Sequence, residues 1–542
     1  MPLRPATTLR RLALAAGLLA PLAAPGAAQA QAPKVLRVAM TASDVPTTTG
    51  MPNNGSEGMR FLGFPVFEPL VNWDLSRADK PADIMPGLAT AWTQDPADPK
   101  KWRFDLRQGV SFHDGSAFSA DSVIWNLDRF YKNDSPQFDA AGAALARGRV
   151  SILTGYRKID ANTVELETAR PISYLPYLLT WILFTSPQSW ESNGRDWSKV
   201  ATAGAAGTGP FRITRFVPRQ SAEISRNDQY WDPNRRAKLD RILLLPMPEA
   251  NTRLAALRSG QVDWIEVPPP DGLPSLRSGG FQVVTNSYPH VWPWVFAAGR
   301  ASSPTSDVRV RQALNYCFDR DGMVTLLNGT AEPSVGFYKP NDPLFGSPQN
   351  RYRLDAAKGK ALLAEAGYTA QRPLKLTIGI STSGSGQMLP LPMNEYLQQS
   401  LKENCGVEIG FQVVEWNTLL AGLRATPDAP QWLGADALNI SLVSSDASQM
   451  ARWFLSSNAT PVGSNAGHWR DAEFDAAFAA VETSTDPAAI TAALTKAHER
   501  LVDGAPWLYI VHDLNPRAMT RRVRGFVSAQ SWYQDLTRVD LQ

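Results

Sequence analysis

The stretch Trp102–Phe130, WRFDLRQGVSFHDGSAFSADSVIWNLDRF, sets His113 beside Asp114, with further acids at Asp105, Asp121 and Asp128. A His–Asp neighbour pair can relay a proton or ligate a metal, or it can close a tight turn. The chemical readings need partners. A metal site wants three or four His, Cys or carboxylate ligands at short spacings, yet the chain holds only 5 His and 2 Cys in 542 residues, with no CxxC and no second His near His113. No HExxH or GxSxG motif appears, and no carboxylate pair can be placed across a sugar site. A secreted hydrolase is therefore the weaker reading, and a turn between a strand and a helix is the stronger one.

The elements around the pair support the turn. Trp102, Phe104 and Leu106 alternate with charged residues, as in a half-buried strand. Gly115 frees the backbone of the turn. Ser119 is placed to N-cap a helix that carries Val123, Ile124, Leu127 and Phe130 on one face. Elsewhere KVLRVAM reads as a strand, and DANTVELETAR and GTGPFRITRFVPRQSAEISRNDQYW as hairpins. LAALRSGQVDWIEVP is a helix ending at Gly260 and then a strand. KLTIGIS, MNEYLQQSLKENC, VEIGFQVVEW and NTLLAGLR follow as strand, helix, strand and helix, a βαβ unit with parallel pairing. PWLYIVHD is an apolar strand, and VPPPDGLPS (Val267–Ser275) is a turn or hinge-adjacent loop.

The N-terminus has three parts. Arg4, Arg10 and Arg11 precede the apolar LALAAGLLAPLAA, and PGAAQAQA offers small-residue cleavage sites after Ala30 or Ala32. This is a secretory signal peptide, and the apolar run is too short to span a bilayer. No Cys lies near the cleavage site, so no lipoprotein is expected. The formal net charge is +3; without residues 1–32, which carry three Arg and no acid, it is zero. Such a balance gives no electrostatic case for nucleic acid or an anionic membrane. The 17 Trp fit either domain cores or a lined groove. Cys317 and Cys405 sit in helical contexts, and export permits a disulfide; the favoured expectation is two unpaired, buried thiols.

Six segments carry a resemblance: FEPLVNWD, the WRFDLRQGVSFHDG…NLDR stretch, GTGPFRI…RNDQYW, LAALRSGQVDW, DVRVRQALNYCFDRDGMV and LDAAKGKALLAEAGY. In this order they resemble the family 5 extracellular solute-binding proteins of ABC importers, the peptide, nickel and opine type, across roughly residues 35–530. The resemblance implies an α/β periplasmic-binding-protein fold, type II and cluster C-like, with two lobes around a ligand cleft and an extra inserted α/β domain. It implies domain I from 33–52, 203–285 and 504–542, domain II from 53–202 with the FHDG hairpin, and domain III from 286–503. His113, Asp114, Asp307, Arg309 and Arg311 are then structural, and Arg320 and Asp321 cap and pair within a helix turn. The implied role is periplasmic capture of an oligopeptide or peptide-like solute and delivery to an inner-membrane permease with its ATPase subunits. The protein acts as a monomer, with no enzymatic step, no cofactor and no metal.

Three stretches are ligand candidates. The loop after the first strand offers Thr47, Asn53 and Asn54, or is a solvated loop. Trp416 ends a strand of the βαβ unit, where ligands sit beyond carboxyl strand ends, and Arg424 follows as a carboxylate partner. In the third stretch, Asp436–Phe454, peptide-binding members carry a Gly-Trp-x-x-Asp motif whose Asp holds the peptide ammonium. Residue by residue, Val443 occupies that position, with Asn439, Ile440, Ser441 and Leu442 before it. An ammonium enclosed without a carboxylate loses several kcal/mol of solvation. Either Asp446 takes over the role, or the anchor lies elsewhere in the stretch, or the ligand has no simple α-ammonium and Ser444 and Ser445 bind it neutrally. The last case covers an opine, a glycoside or a metal–chelate.

Overall fold

The computed structural model describes residues 32–542 apart from Asn54, Ser385 and Thr485, and leaves out the Ser56 side chain. The expected signal segment up to Gln31 lies outside the described residues.

Two seven-stranded sheets organise the chain. The first runs, in spatial order, Gln282–Val284, Arg517–Met519, Trp264–Glu266, Val35–Met40, Arg241–Pro246, Ser221–Arg226 and Phe211–Val217. Its centre is parallel, since Val35–Met40 pairs in parallel with both Arg241–Pro246 and Trp264–Glu266. The second runs Ala331–Pro333, Trp507–Asp513, His290–Phe296, Ala437–Asn439, Lys375–Ile380 and Glu408–Val413, with Leu442–Val443 also paired to His290–Phe296. All seven residues of His290–Phe296 and of Trp507–Asp513 are buried, because helices and loops cover both faces of these central strands. The expected βαβ unit is present: Lys375–Ile380 and Glu408–Val413 are parallel and are joined by the helix Pro390–Cys405.

A smaller sheet of Ala89–Gln94, Lys101–Leu106, Thr163–Thr168 and Leu153–Asp160 lies within the inserted segment. Trp102, Phe104 and Leu106 are its inward residues, as the alternation requires. The helix Ala120–Tyr131 starts at Ser119 in a capping box with Ser122, and Val123, Leu127 and Phe130 are buried.

Several sequence expectations change. Cys317 and Cys405 are bonded in a disulfide with Cα atoms 5.8 Å apart. Each ends a helix, Val308–Cys317 and Pro390–Cys405, and tertiary packing brings those ends together across 88 residues. Trp507–Asp513 runs in the second sheet, although it falls in the 504–542 segment assigned to the first lobe. Trp416 opens the helix Trp416–Gly422 instead of ending a strand, which stops at Val413. The Val267–Ser275 stretch holds a 3-10 turn at Pro270–Gly272 and the start of the helix Leu273–Ser278. Arg320 does not pair with Asp321; it donates to the carbonyls of Ser334 and Asn315, and Asp319 caps the following helix.

Candidate functional site

The His113–Asp114 pair closes a turn. Gly115 takes a φ of +85°. The half-buried His113 ring accepts from the Gly207 amide through Nδ1 at 3.2 Å and donates from Nε2 to the Gly209 carbonyl at 3.0 Å. Burial lowers its pKa to about 4, so the ring is neutral near pH 7. Asp114 accepts from the hydroxyls of Ser116 and Ser186. His113 stitches the hairpin to the neighbouring Gly-Pro turn and Asp114 ties it to Ser186, and no metal cluster of three or more ligands occurs among the described residues.

The two large sheets are connected where Gln282–Val284 leads to His290–Phe296 and where Trp507–Asp513 leads to Arg517–Met519. These two short crossovers run side by side. A buried charge network braces the first sheet beneath them. Glu266 accepts from Arg60 at 2.5 Å, from Arg517 at 2.9 Å and from Trp264 Nε1 at 2.8 Å. Arg517 and Arg60 hold its carboxyl below the usual range even though burial pushes the other way. Arg60 also donates to Asn515 on the second crossover, and His290 Nδ1 lies 3.6 Å from Asp513 across the pair.

The expected ligand residues divide. Thr47 and Asn53 bond each other: the Thr47 amide donates to Asn53 Oδ1 at 2.9 Å and the Asn53 amide to Thr47 Oγ1 at 3.3 Å. They close their own loop, and Asn54 lies outside the described residues. Asn439 accepts from Asn394 and donates to the Pro293 carbonyl, so its amide is committed inside the second lobe. Ser441 accepts from Gln387. Val443 is a sheet residue opposite His290, and its carbonyl accepts from Trp453 Nε1 at 3.0 Å. Ser444 is buried and its amide donates to the Pro289 carbonyl. Asp446 N-caps the helix Ala447–Phe454, accepting from the Ser448 amide at 2.8 Å and from the Ser445 hydroxyl at 2.5 Å. Burial raises its pKa. Trp416 packs flat on Gly384, whose carbonyl lies 3.5 Å from Thr41 Oγ1 just past the strand Val35–Met40, and the Trp416 indole N–H is buried without a partner among the described residues. Arg424 is exposed just past the end of that helix.

Sequence reasoning missed a second group. Tyr533, from the C-terminal segment, packs on Phe64 at 4.0 Å and on Trp181 at 5.4 Å between ring centres, and Trp181 also meets Trp532 at 5.3 Å. Arg149 stacks over Trp181 at 4.5 Å and Arg452 over Trp453 at 4.0 Å. Burial raises the pKa values of Tyr177, Tyr338 and Tyr533, with Asp83 adding to it at Tyr177 and the charge of Asp446 adding a smaller push at all three. The hydroxyls of Tyr288, Tyr338 and Tyr533 and the indole N–H of Trp532 are enclosed with no hydrogen-bond partner. Buried polar atoms are nearly always satisfied, so this many in one junction marks a place shaped for a polar guest. A separate groove of about 440 Å³ opens between Thr41, Arg253 and Pro269–Asp271 on one side and Thr382–Gly384 and Met388–Pro392 on the other. Only the Trp-rich composition hinted at the aromatic junction; its members are scattered from residue 64 to 533.

The chain matches the family model of bacterial extracellular solute-binding proteins, family 5 Middle, over residues 83–461. It is 26% identical to the Di/tripeptide-binding protein 2 of Pseudomonas aeruginosa, over 97% of this chain and 98% of that protein. The structure of the periplasmic binding protein DppA from Helicobacter pylori in complex with the peptide STSA superposes with a TM-score of 0.79 at 20% identity, covering 94% of this chain and 98% of that one. The binding protein AgaA with agropinic acid from A. tumefaciens R10 superposes with a TM-score of 0.77 at 20% identity, covering 94% and 99%.

Proposed function

This chain belongs to the bacterial extracellular solute-binding proteins, family 5, and from that membership we propose that it is the periplasmic binding component of an ABC importer. It captures an oligopeptide or peptide-like solute between its lobes and presents the closed form to an inner-membrane permease. The observation that supports this most directly is the pair of seven-stranded sheets joined by two adjacent crossovers, with unpartnered aromatic hydroxyls and indole N–H groups enclosed at the junction. Two short parallel connections permit a hinge rotation that changes few contacts within either lobe. A ligand that contacts both lobes shifts the population to the closed state by its extra affinity for that state.

The family is one of solute binders, and the His–Asp pair that raised an enzymatic reading is spent in a turn. Opines, glycosides and metal–chelates are the alternative cargo within the same transport role, favoured by Val443 at the place of the ammonium-binding acid. Native mass spectrometry of protein taken unwashed from a periplasmic extract tests the reading. An adduct that fragments to amino acids, and scattering that contracts on rebinding it, are the expected results. An empty protein whose melting temperature ignores peptide, opine, glycoside and metal–chelate pools alike refutes it.

A further inference from the structure

Arg149 and Arg452 meet at the junction, from the segment before the strand Leu153–Asp160 and from the helix Ala447–Phe454, and the exposed Arg424 follows the end of the helix Trp416–Gly422. They are close enough for Arg149 and Arg424 each to depress the proton affinity of Arg452, and for Arg424 to depress that of Arg149. Burial acts in the same direction on both and lowers Arg149 to about 10. Arg149 and Arg452 line one crevice with Ser448, Asn458 and Ser464.

Like charges brought together out of water are unfavourable unless an anion joins them. The acids nearby are engaged elsewhere. Glu482 is held by Arg170 at 2.7 Å and by the Tyr174 hydroxyl at 2.6 Å. Asp446 is turned to Ser445 and to the amide that it caps. None of the three arginines makes an ion pair among the described residues, and the phenol of Tyr533 is the one group that offsets them in part. Arg452 reaches only Ser464 at 3.2 Å and Gln449 at 3.5 Å. The Nε and Nη1 atoms of Arg149 are enclosed with no acceptor among the described residues. A guanidinium fork is built for bidentate oxyanion recognition, and here one fork is fixed flat on Trp181 with donors unused.

We propose that the solute is an organic polyanion, with two or more carboxylates or equivalent oxyanions, whose charge is received by Arg149 and Arg452 at the junction of the lobes. This rests on the reading of the chain as a solute carrier and narrows it. A guest with one negative charge leaves the two guanidinium groups under-compensated, whereas two anionic groups balance them. The hydrophobic Val443 imposes no demand for an α-ammonium on the same guest.

Calorimetry on the mature protein, freed of co-purified solute by unfolding and refolding, tests it with three probes: tricarballylate, N-acetyl-Asp-Glu and trialanine. The two polyanions are expected to bind at least tenfold more tightly than trialanine and to weaken as NaCl is raised. Arg149→Gln and Arg452→Gln are each expected to lose tenfold or more for tricarballylate. Trialanine binding as well as the polyanions, or polyanion affinity that survives both substitutions, overturns the proposal and leaves the carrier reading standing. The wild-type comparison among probes decides the matter even where a variant fails to fold. Failure of both polyanions overturns it too; if peptide, opine, glycoside and metal–chelate pools are also ignored, the carrier reading falls with it.

Discussion

Breaking the Cys317–Cys405 bond is the perturbation whose magnitude follows most directly from the structure. The bond spans 88 residues, and loop-closure entropy for a loop of that length is worth about 4.6 kcal/mol at 25 °C. Native-state adjustments bring typical values to about 2–4 kcal/mol. The bond sits under the helix Ala356–Glu365, in the core of the second lobe with Trp292, Leu363 and Leu397. A loss of about 4 kcal/mol divided by an unfolding entropy of about 2.1 cal/mol/K per residue shifts Tm by roughly 4 °C when some 500 residues unfold together. The same loss gives roughly 9 °C when a lobe of about 220 residues melts alone. Urea and thermal unfolding with and without a phosphine reductant, beside Cys317→Ala/Cys405→Ala, measure it. Size of the shift then reports which unit is cooperative. Two reactive thiols in the oxidised native protein, or a midpoint indifferent to complete reduction, would refute the reasoning.

Gly359→Ala should destabilise by about 1–3 kcal/mol through overpacking, because a Cβ there stands 2.3 Å from Cys317 Sγ and 3.0 Å from Cys405 Sγ; an unchanged urea midpoint counts against that packing. Glu266→Gln should cost about 3–5 kcal/mol, the range for breaking a buried ion pair, since it leaves Arg60 and Arg517 facing a neutral amide; circular dichroism melts check it. His113 and His498 are held near pKa 4 and His512 near 3 by burial, below the free value of about 6.5. Their folded values are depressed, so the unfolded chain takes up protons first. The stability they contribute is whole above pH 6.5 and is lost as pH falls towards about 4, and for His512 towards about 3, by up to about 1.4 kcal/mol per pH unit for each ring; urea midpoints equal at pH 7 and pH 5 would contradict it. Asn439→Ala should cost about 1–3 kcal/mol by stranding the buried Asn394 amide, with solute affinity altered only through that loss.

Local rules carried far along this chain. Alternation predicted Lys101–Leu106, the Ser cap predicted Ala120–Tyr131, and the strand–helix–strand pattern around Pro390–Cys405 predicted parallel pairing. Each depends on a period or a cap written within a dozen residues. The misses need tertiary information. Two helix ends meet at the disulfide from 88 residues apart, and no spacing rule encodes a Cα separation. Trp507–Asp513 looked like part of the returning C-terminal lobe, yet a strand's partner is set by which face must be covered. Thr47 and Asn53 offer hydrogen-bonding capacity and Asn439 lies in the motif stretch, and the fold uses the polar groups of all three within itself. Arg149 and Arg452 carry no local signature at all. An arginine becomes a binding group by being enclosed without an acid, and a sequence does not display enclosure.

Charge ties the site together. In the motif that the resemblance supplies, an acid meets a ligand cation. Here that place is Val443, buried in the second sheet and opposite His290, whose own pKa is lowered by burial. The nearest acid in sequence, Asp446, is committed as a helix cap, and burial favours its protonated form. Loss of an anion on one side and enclosure of two cations, Arg149 and Arg452, on the other act in the same sense. Both make a cationic guest costlier and an anionic one more stable. Asp446→Asn separates the two possible duties of that residue. The amide caps a helix almost as well as the carboxylate, so stability should change by less than about 1 kcal/mol. Affinity for polyanions should hold or rise, because whatever negative charge remains at that place is gone, while Glu482 stays held by Arg170. A tenfold fall in affinity would instead make Asp446 the partner of a cationic group on the solute, and the charge of the cleft would have to be read the other way.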